Sequence, residues 1–198
     1  MTSITAVPAP HTPTRPVRRD VSRWLISFLG FPLGGFAALL LTGPVNNTTA
    51  ALTGGLLTGV VLGAAQAWAL RLDRRALVAW AFATAIGMAV GLAVGANLVR
   101  FSSGLAELAL QGAVCGAAVG LAQAAVLWRR TGPLALAWPA YLAAAWAAGW
   151  TVTTLAGIVV EERFTVFGAS GALVVALLTS VLPLVLRARP GSTRVSAA

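Results

Sequence analysis

Long charge-free runs of apolar residues dominate the pattern of this chain. An α-helix needs roughly 20 apolar residues to cross the hydrocarbon core of a bilayer, which is about 30 Å thick. The first run, 24–70, is long enough for two crossings, and its segment 43–49 contains the turn-forming residues that would divide it. None of the runs alternates with the period of two that membrane-spanning strands show. The pattern therefore predicts an all-α, polytopic transmembrane bundle of six helices, near 24–42, 51–70, 76–99, 105–128, 135–159 and 167–186.

Composition excludes an ordinary soluble domain. Of 198 residues, 58% are hydrophobic and 10% are charged, whereas about 25% of a soluble domain is charged. The 14 basic and 5 acidic residues give a formal net charge of +9. A nucleic-acid surface would need far more exposed polar area than this chain offers, so we expect the lipid bilayer as a partner and no nucleic acid. The single Cys115 excludes an internal disulfide.

The basic residues are unevenly divided between the two sets of loops. Arg100 and Arg163 share one set with Glu107, Glu161 and Glu162. By the positive-inside rule, this asymmetry predicts a protein of the inner (plasma) membrane with both termini in the cytoplasm. The other basic residues lie in the tails and in the alternate loops, and they include Arg15, Arg18, Arg19, Arg23, Arg71, Arg74, Arg75, Arg129, Arg130, Arg187, Arg189 and Arg194.

The domain organisation follows from the same pattern. Residues 1–23 are rich in Pro, Thr and Arg and lack apolar periodicity, which predicts a disordered cytoplasmic tail. Residues 24–187 form the predicted transmembrane domain, and 188–198 form a second cytoplasmic tail.

An internal repeat relates successive pairs of predicted helices. The motif of the second helix recurs in the fourth with an offset of 57 residues, and a weaker version in the sixth ends at Thr179. Three tandem helical hairpins with parallel repeats, of period about 57, are therefore expected. The two full copies read Gly59-x3-Gly63-x2-Gln66-x3-Leu70-Arg71 and Gly116-x3-Gly120-x2-Gln123-x3-Leu127-Trp128-Arg129.

The glycines and glutamines of this repeat have a packing interpretation. Lipid removes the hydrophobic drive between helices, so association depends on close backbone approach across small residues. Gln66 and Gln123 lie one turn beyond their glycines on the same face. With Thr179 they form either polar clasps between helices or the lining of a solute or ion path. Three glycine stripes are spaced every four residues, namely Gly55, Gly59 and Gly63, then Gly87, Gly91 and Gly95, then Gly112, Gly116 and Gly120.

The repeated motif resembles that of uncharacterised bacterial multi-pass membrane proteins, in which G-x3-G-x2-Q-x3-L-R occurs in successive hairpins. The resemblance covers the second and fourth helices and implies the hairpin topology. It implies no activity.

Residues that carry chemistry are scarce. The segment 168–172 resembles the G-x-S-G segment of rhomboid intramembrane proteases, with Ser170 in the place of the nucleophile. A serine nucleophile needs a base, and the single histidine, His11, precedes the first helix. One His, one Cys and five carboxylates give no metal-ligand pattern, and the chain has no P-loop or dinucleotide motif. We therefore expect no enzyme, no metal and no cofactor.

Polar residues near the outer ends of the helices are the remaining functional candidates. They form either an interfacial ion pair between Arg100 and Glu107 with helix-capping groups, or an outward-facing polar pocket. This candidate outer polar cluster is Asn97, Arg100, Glu107 and Gln111.

Two functional classes remain open at this stage. The first is an integral membrane protein without catalysis, acting as a structural, assembly or accessory component. Its partner would be a second copy of the chain, in a homo-oligomer, or another membrane subunit. The alternative is a small-solute transporter or channel, or the substrate-binding subunit of a transporter. Six spans in about 200 residues is similar in size and span number to the substrate-binding subunits of energy-coupling-factor vitamin transporters.

Overall fold

The structure, a computed structural model, describes residues 17–157 and 164–188, with the backbone alone for 164–168. All regular secondary structure in these residues is helical, which confirms the all-α prediction. The α-helices are α1 (Val17–Ile26), α2 (Gly30–Thr42), α3 (Thr48–Ala69), α4 (Arg74–Leu98), α5 (Leu105–Thr131), α6 (Trp138–Leu155), α7 (Phe164–Leu178) and α8 (Val181–Ala188), with 3-10 segments at Ser27–Leu29 and Gly132–Ala137.

Helices that are long and apolar enough to cross a membrane account for most of the described chain. One of these stretches, Leu105–Leu155, is 51 residues long and contains both α5 and α6. The outward-facing side chains are apolar, with Leu41 72% exposed and Phe82 67% exposed. Such a surface is compatible with a membrane protein. The five stretches are Val17–Thr42, Thr48–Ala69, Arg74–Leu98, Leu105–Leu155 and Ala169–Ala188.

The helices are arranged as a closed ring in chain order. Each of α2 to α7 packs against its neighbours in sequence, and α7 also packs against α2. At one end of the ring, α1 contacts α8. The first and last described helices are therefore adjacent, and the ring encloses a central space.

Glycine stripes bring neighbouring backbones into contact around this ring. A Cβ atom added at Gly59 of α3 would lie 2.5 Å from the Cα of Ala85 on α4. One added at Gly116 of α5 would lie 2.5 Å from the carbonyl oxygen of Leu142 on α6. A Cβ added at Gly91 of α4 would lie 2.7 Å from the Cα of Cys115 on α5. These distances explain why glycine is needed at the contacts.

Two prolines interrupt the first and last helical stretches. Proline has no N–H to donate to the carbonyl four residues earlier, so a helix containing it bends or breaks there. Pro32 follows the 3-10 segment Ser27–Leu29, and Pro183 follows the break at Thr179 and Ser180 that separates α7 from α8. The helix predicted near 167–186 is thus divided here into α7 and α8, both of which contribute to the single apolar stretch Ala169–Ala188.

The boundary of the predicted N-terminal tail also needs correction. Residues 17–23 were expected to be disordered, but they form most of α1. The helix is held by its polar side, where Asp20 pairs with Arg187 of α8 at 3.1 Å. Residues 1–16 and 189–198, with His11, and residues 158–163, with Glu161, Glu162 and Arg163, lie outside the described part of the chain.

Candidate functional site

Gln123 of α5 lies at the centre of a buried polar network. It is 1% exposed. Its amide nitrogen donates to the hydroxyl of Thr84 on α4 at 2.9 Å and to the amide oxygen of Gln66 on α3 at 3.2 Å. Its amide oxygen accepts a hydrogen bond from the indole nitrogen of Trp138, the first residue of α6, at 2.9 Å. One side chain thus connects four consecutive helices.

Gln66 joins this network through its amide oxygen. That oxygen accepts from the indole nitrogen of Trp80 on α4 at 3.1 Å, as well as from Gln123. Two donors on one atom fix the assignment of oxygen and nitrogen in the Gln66 amide. Unlike Gln123, Gln66 is partly exposed and lines a small internal cavity.

Thr179 does not bond to the two glutamines, but it too accepts a hydrogen bond from a tryptophan. The indole nitrogen of Trp24 donates to the Thr179 hydroxyl at 3.1 Å, and that hydroxyl donates to the carbonyl oxygen of Val175 at 2.7 Å. Both Trp24 and Thr179 are 2% exposed. This bond connects the first helical stretch to the last.

Charged residues gather at the same end of the ring as the three tryptophan bonds. Arg23 donates to the carbonyl oxygen of Trp68 at 2.6 Å and lies 3.9 Å from the centre of its ring. Asp20 forms ion pairs with Arg187 at 3.1 Å and with Arg71 at 3.9 Å. These contacts bring the start of α1, the turn after α3 and the end of α8 together.

Asp73 caps α4 in this same region. Its carboxylate accepts a hydrogen bond from the backbone N–H of Ala76 at 3.0 Å. This bond, with a smaller contribution from the backbone N–H of Arg75, lowers the pKa of the Asp73 carboxyl below its ordinary value. α4 and α5 pack antiparallel, with Gly87 against Val119 and Gly95 against Gln111, so the end of α5 lies near the start of α4.

A cavity of about 250 Å³ occupies the opposite half of the ring. It reaches the surface between the turns 43–45 and 101–103. Its walls are mainly small or apolar side chains, and the described residues that line it carry no charge. Two of its lining residues, Gln111 at 8% exposed and Thr58 at 5% exposed, are polar and buried. Among the described residues, neither side chain has a hydrogen-bond partner.

A smaller cavity of about 40 Å³ lies nearer the charged end and is lined by Gln66, Thr179 and Thr153, among others. Phe31 and Trp146 line both cavities. Their rings pack edge to face with centroids 5.6 Å apart. This aromatic pair marks the boundary between the two spaces.

The predicted outer polar cluster is not brought together. Asn97 bonds with Thr48 through two contacts of 3.0 and 3.1 Å on the exposed side of the ring. Arg100 is exposed, and the ion pairs found among the described residues do not include one between Arg100 and Glu107. Gln111 alone lines the cavity. The cluster therefore separates into an exterior contact of Asn97, an exposed arginine after α4, a carboxylate in the first turn of α5 and one interior amide.

Ser170, the residue that resembles a protease nucleophile, lies 3.1 Å from the hydroxyl of Thr153. In residues 17–157 and 164–188 there is no group of three or more His, Cys, Asp or Glu that could hold a metal ion.

Several partners of the network had no individual signal in the sequence. Thr84 is an ordinary helical threonine by pattern, as is Thr58, which lines the cavity outside the network, and the burial of both results from the packing. Trp80 and Trp138 could have been found, because Trp24, Trp80 and Trp138 recur at spacings of 56 and 58 residues.

No protein-family model, curated protein or solved structure matches this chain. Its function is therefore inferred from geometry and chemistry alone.

Proposed function

We propose that this chain is a multi-pass membrane protein that crosses the bilayer six times. The stretch Leu105–Leu155 supports six crossings over five. As one straight helix, 51 residues would extend roughly 75 Å, more than twice the hydrocarbon thickness. Instead, Gly132 has a φ of +57° at the end of α5, and α6 lies alongside α5, with Gly112 against Trp146 and Gly120 against Pro139. Each of these two helices is long enough for one crossing.

Three tandem hairpins are the arrangement we propose for these crossings. The support is a contact that occurs three times at matched positions. Trp80 donates to Gln66, Trp138 donates to Gln123, and Trp24 donates to Thr179. The acceptors are separated by 57 and 56 residues, and the donors by 56 and 58. In each case the first helix of one hairpin bonds to the second helix of another, and the third bond closes the ring.

The charged end of the ring is proposed to face the cytoplasm, in the inner (plasma) membrane. Arg23, Arg71 and Arg187 belong to three separate segments, and their contacts with Trp68 and Asp20 bring them together at one end. The positive-inside rule assigns such an end to the cytoplasm, where both tails would lie.

We infer that the protein acts without catalysis, as a structural, assembly or accessory component of the membrane. The observation that supports this function is the state of Gln123. All of its partners are side chains of neighbouring helices, and it lines neither cavity. A residue of a solute path would instead present its amide to the space. The interaction partner would be another membrane subunit or a second copy of the chain.

A second function, substrate-binding subunit, is favoured by one observation. The 250 Å³ cavity opens at the uncharged end, and the Phe31–Trp146 pair lies at its inner boundary. An uncharged cavity bounded by an aromatic pair suits the binding of a small molecule better than the conduction of ions.

Osmotic swelling of proteoliposomes tests the structural function against transport. Vesicles that contain the purified protein are exposed to glycerol or urea, and swelling is followed by stopped-flow light scattering. We expect the same swelling rates as for empty vesicles. Faster swelling that is abolished by Gln66→Leu in a folded protein would contradict the structural function.

A further inference from the structure

We propose that the 250 Å³ cavity is a binding site for an uncharged, mainly apolar small molecule that carries one hydroxyl or carbonyl-type group. This inference rests on the second candidate function, substrate binding, and goes beyond it by naming the chemical class of the ligand and the residue that recognises it.

The size of the cavity limits the ligand. An apolar protein cavity of about 150 Å³ is sufficient for benzene. The cavity here measures about 250 Å³, which corresponds to a ligand of roughly ten non-hydrogen atoms on the same scale. The exposed residues Pro44, Ser102 and Ser103 line its opening, so a ligand would enter from the uncharged end of the ring.

The walls exclude a charged ligand. The described lining residues are uncharged, and most are apolar or small, such as Leu92, Ala96 and Leu108. An ion placed there would lose its hydration without gaining a counter-charge, which is strongly unfavourable. A neutral, apolar ligand would instead fill the cavity and make van der Waals contacts with its walls.

Gln111 supplies the specific polar contact. The side chain is 8% exposed and lines the cavity, and the described residues offer it no hydrogen-bond partner. The amide is not among the fully buried side-chain atoms of the described residues that lack a partner, so it is open to the cavity and accessible to a polar group of a ligand. Its aliphatic stem is fixed against α4, where a Cβ at Gly95 would lie 3.1 Å from the Gln111 Cγ. The amide can both donate and accept, so one hydroxyl or carbonyl group of a ligand would satisfy it. The Thr58 hydroxyl, which also lines the cavity, is a second such group.

A small aromatic alcohol tests this site. The probe is 2-naphthol, and naphthalene is the matched ligand without the hydroxyl. Binding to the purified full-length protein in lipid nanodiscs is measured by titration calorimetry, with empty nanodiscs as the partition control. We expect saturable binding of 2-naphthol at one site per chain, with naphthalene bound roughly fivefold to tenfold more weakly, because one neutral hydrogen bond is lost. The charged analogue 2-naphthoate should not bind.

Two variants assign the binding to the cavity. Gln111→Leu should reduce the affinity for 2-naphthol to that for naphthalene. Gly54→Leu should abolish binding of both, because Gly54 lines the cavity and a Cβ there meets only ordinary contacts, the nearest being the Thr42 hydroxyl oxygen at 3.5 Å. Far-ultraviolet circular dichroism confirms that both variants are folded. If Gly54→Leu does not fold, Gly54→Val replaces it.

Three outcomes would overturn the proposal. They are the absence of saturable 2-naphthol binding, equal binding of 2-naphthol and naphthalene by the unmodified chain, and a bound phospholipid in native mass spectra that Gly54→Leu removes while 2-naphthol does not displace it. The last outcome would assign the cavity to an acyl chain. None of them bears on vesicle swelling, so this proposal and the structural function can fail separately.

Discussion

At the scale of single residues, three glutamines have three different environments. Gln123 is buried and fully bonded, Gln66 is partly exposed and bonded through its oxygen, and Gln111 is buried without a described partner. The same side chain therefore has two different roles. Bonded amides stabilise helix contacts, while the Gln111 amide, open to the cavity, can bond to a ligand.

Gln123→Leu and Gln111→Leu form a matched pair. Gln123→Leu leaves the buried Trp138 N–H without its acceptor and removes a donor from Thr84 and Gln66, so we expect the free energy of unfolding to fall by about 1–3 kcal/mol. Gln111→Leu breaks no described bond and should leave stability unchanged or raise it. Both are measured by reversible unfolding in mixed micelles. Equal losses in the two variants would contradict the proposed clasp.

Arg100 provides a second prediction at this scale. It has a φ of +50° at the end of α4, in the left-handed region that favours glycine. The N–H groups of Arg100 and Phe101 donate to the carbonyls of Asn97 and Ala96, a helix-ending pattern in which glycine is usual. Arg100→Gly should therefore raise the free energy of unfolding by about 1 kcal/mol.

Arg100→Ala is the control for this substitution. It removes the same charge and keeps the Cβ, so it should give no comparable gain in the same unfolding measurement. A gain of equal size in both variants would show that the charge, and not the backbone conformation, is responsible.

At the scale of the helices, packing depends on which side of a helix each glycine occupies. Gly54 and Gly55 are adjacent in α3 but have different surroundings. A Cβ at Gly55 would lie 2.7 Å from the carbonyl oxygen of Met88 and 2.9 Å from the Cα of Ala89. A Cβ at Gly54 meets nothing closer than 3.5 Å.

The two alanine substitutions should therefore have opposite signs. Gly54→Ala should stabilise the protein by up to about 1 kcal/mol, because alanine favours the helix. Gly55→Ala should destabilise it by about 1–3 kcal/mol, because α3 and α4 must move apart. Thermal unfolding of both variants checks this contrast, and stabilisation by Gly55→Ala would refute the close contact.

The positions of the helices were largely predictable, and the details of packing were not. Charge-free runs set the helix ends to within a few residues, so α3 and α4 begin and end close to the predicted 51–70 and 76–99. Average hydropathy does not reveal the break at Thr179. Predicting it requires the separate consideration that Pro183 cannot donate a hydrogen bond to the carbonyl four residues earlier. Helicity over 17–23 depends on Asp20 meeting Arg187, a partner far away in the sequence.

The candidate site was predictable in part, for the same reason. The repeat singled out Gln66 and Gln123, but it did not show that they bond to each other, because that contact depends on how α3 and α5 each pack against α4. The cavity arises where inward-facing positions are small, as at Gly35, Ala38 and Ala96. The closure of the ring decides which small residues face inward. The spacing of the glycines alone does not show which residues these are.

At the scale of the whole molecule, the arrangement depends on the direction in which each stretch crosses. Six crossings place both tails on one side of the membrane, while five would place them on opposite sides. The charged end and the cavity opening would lie on opposite faces. The proposed binding site would then be reached from outside the cell.

Cysteine accessibility reports on which side of the membrane each tail lies, and so separates six crossings from five. In a Cys115→Ala background, Ser3→Cys, Ser102→Cys and Ser196→Cys are made singly and treated with a membrane-impermeant maleimide in intact cells and in inverted membrane vesicles. Six crossings predict that Ser3→Cys and Ser196→Cys are labelled in inverted vesicles alone, and Ser102→Cys in intact cells alone. Labelling of Ser3→Cys and Ser196→Cys from opposite sides of the membrane would contradict six crossings.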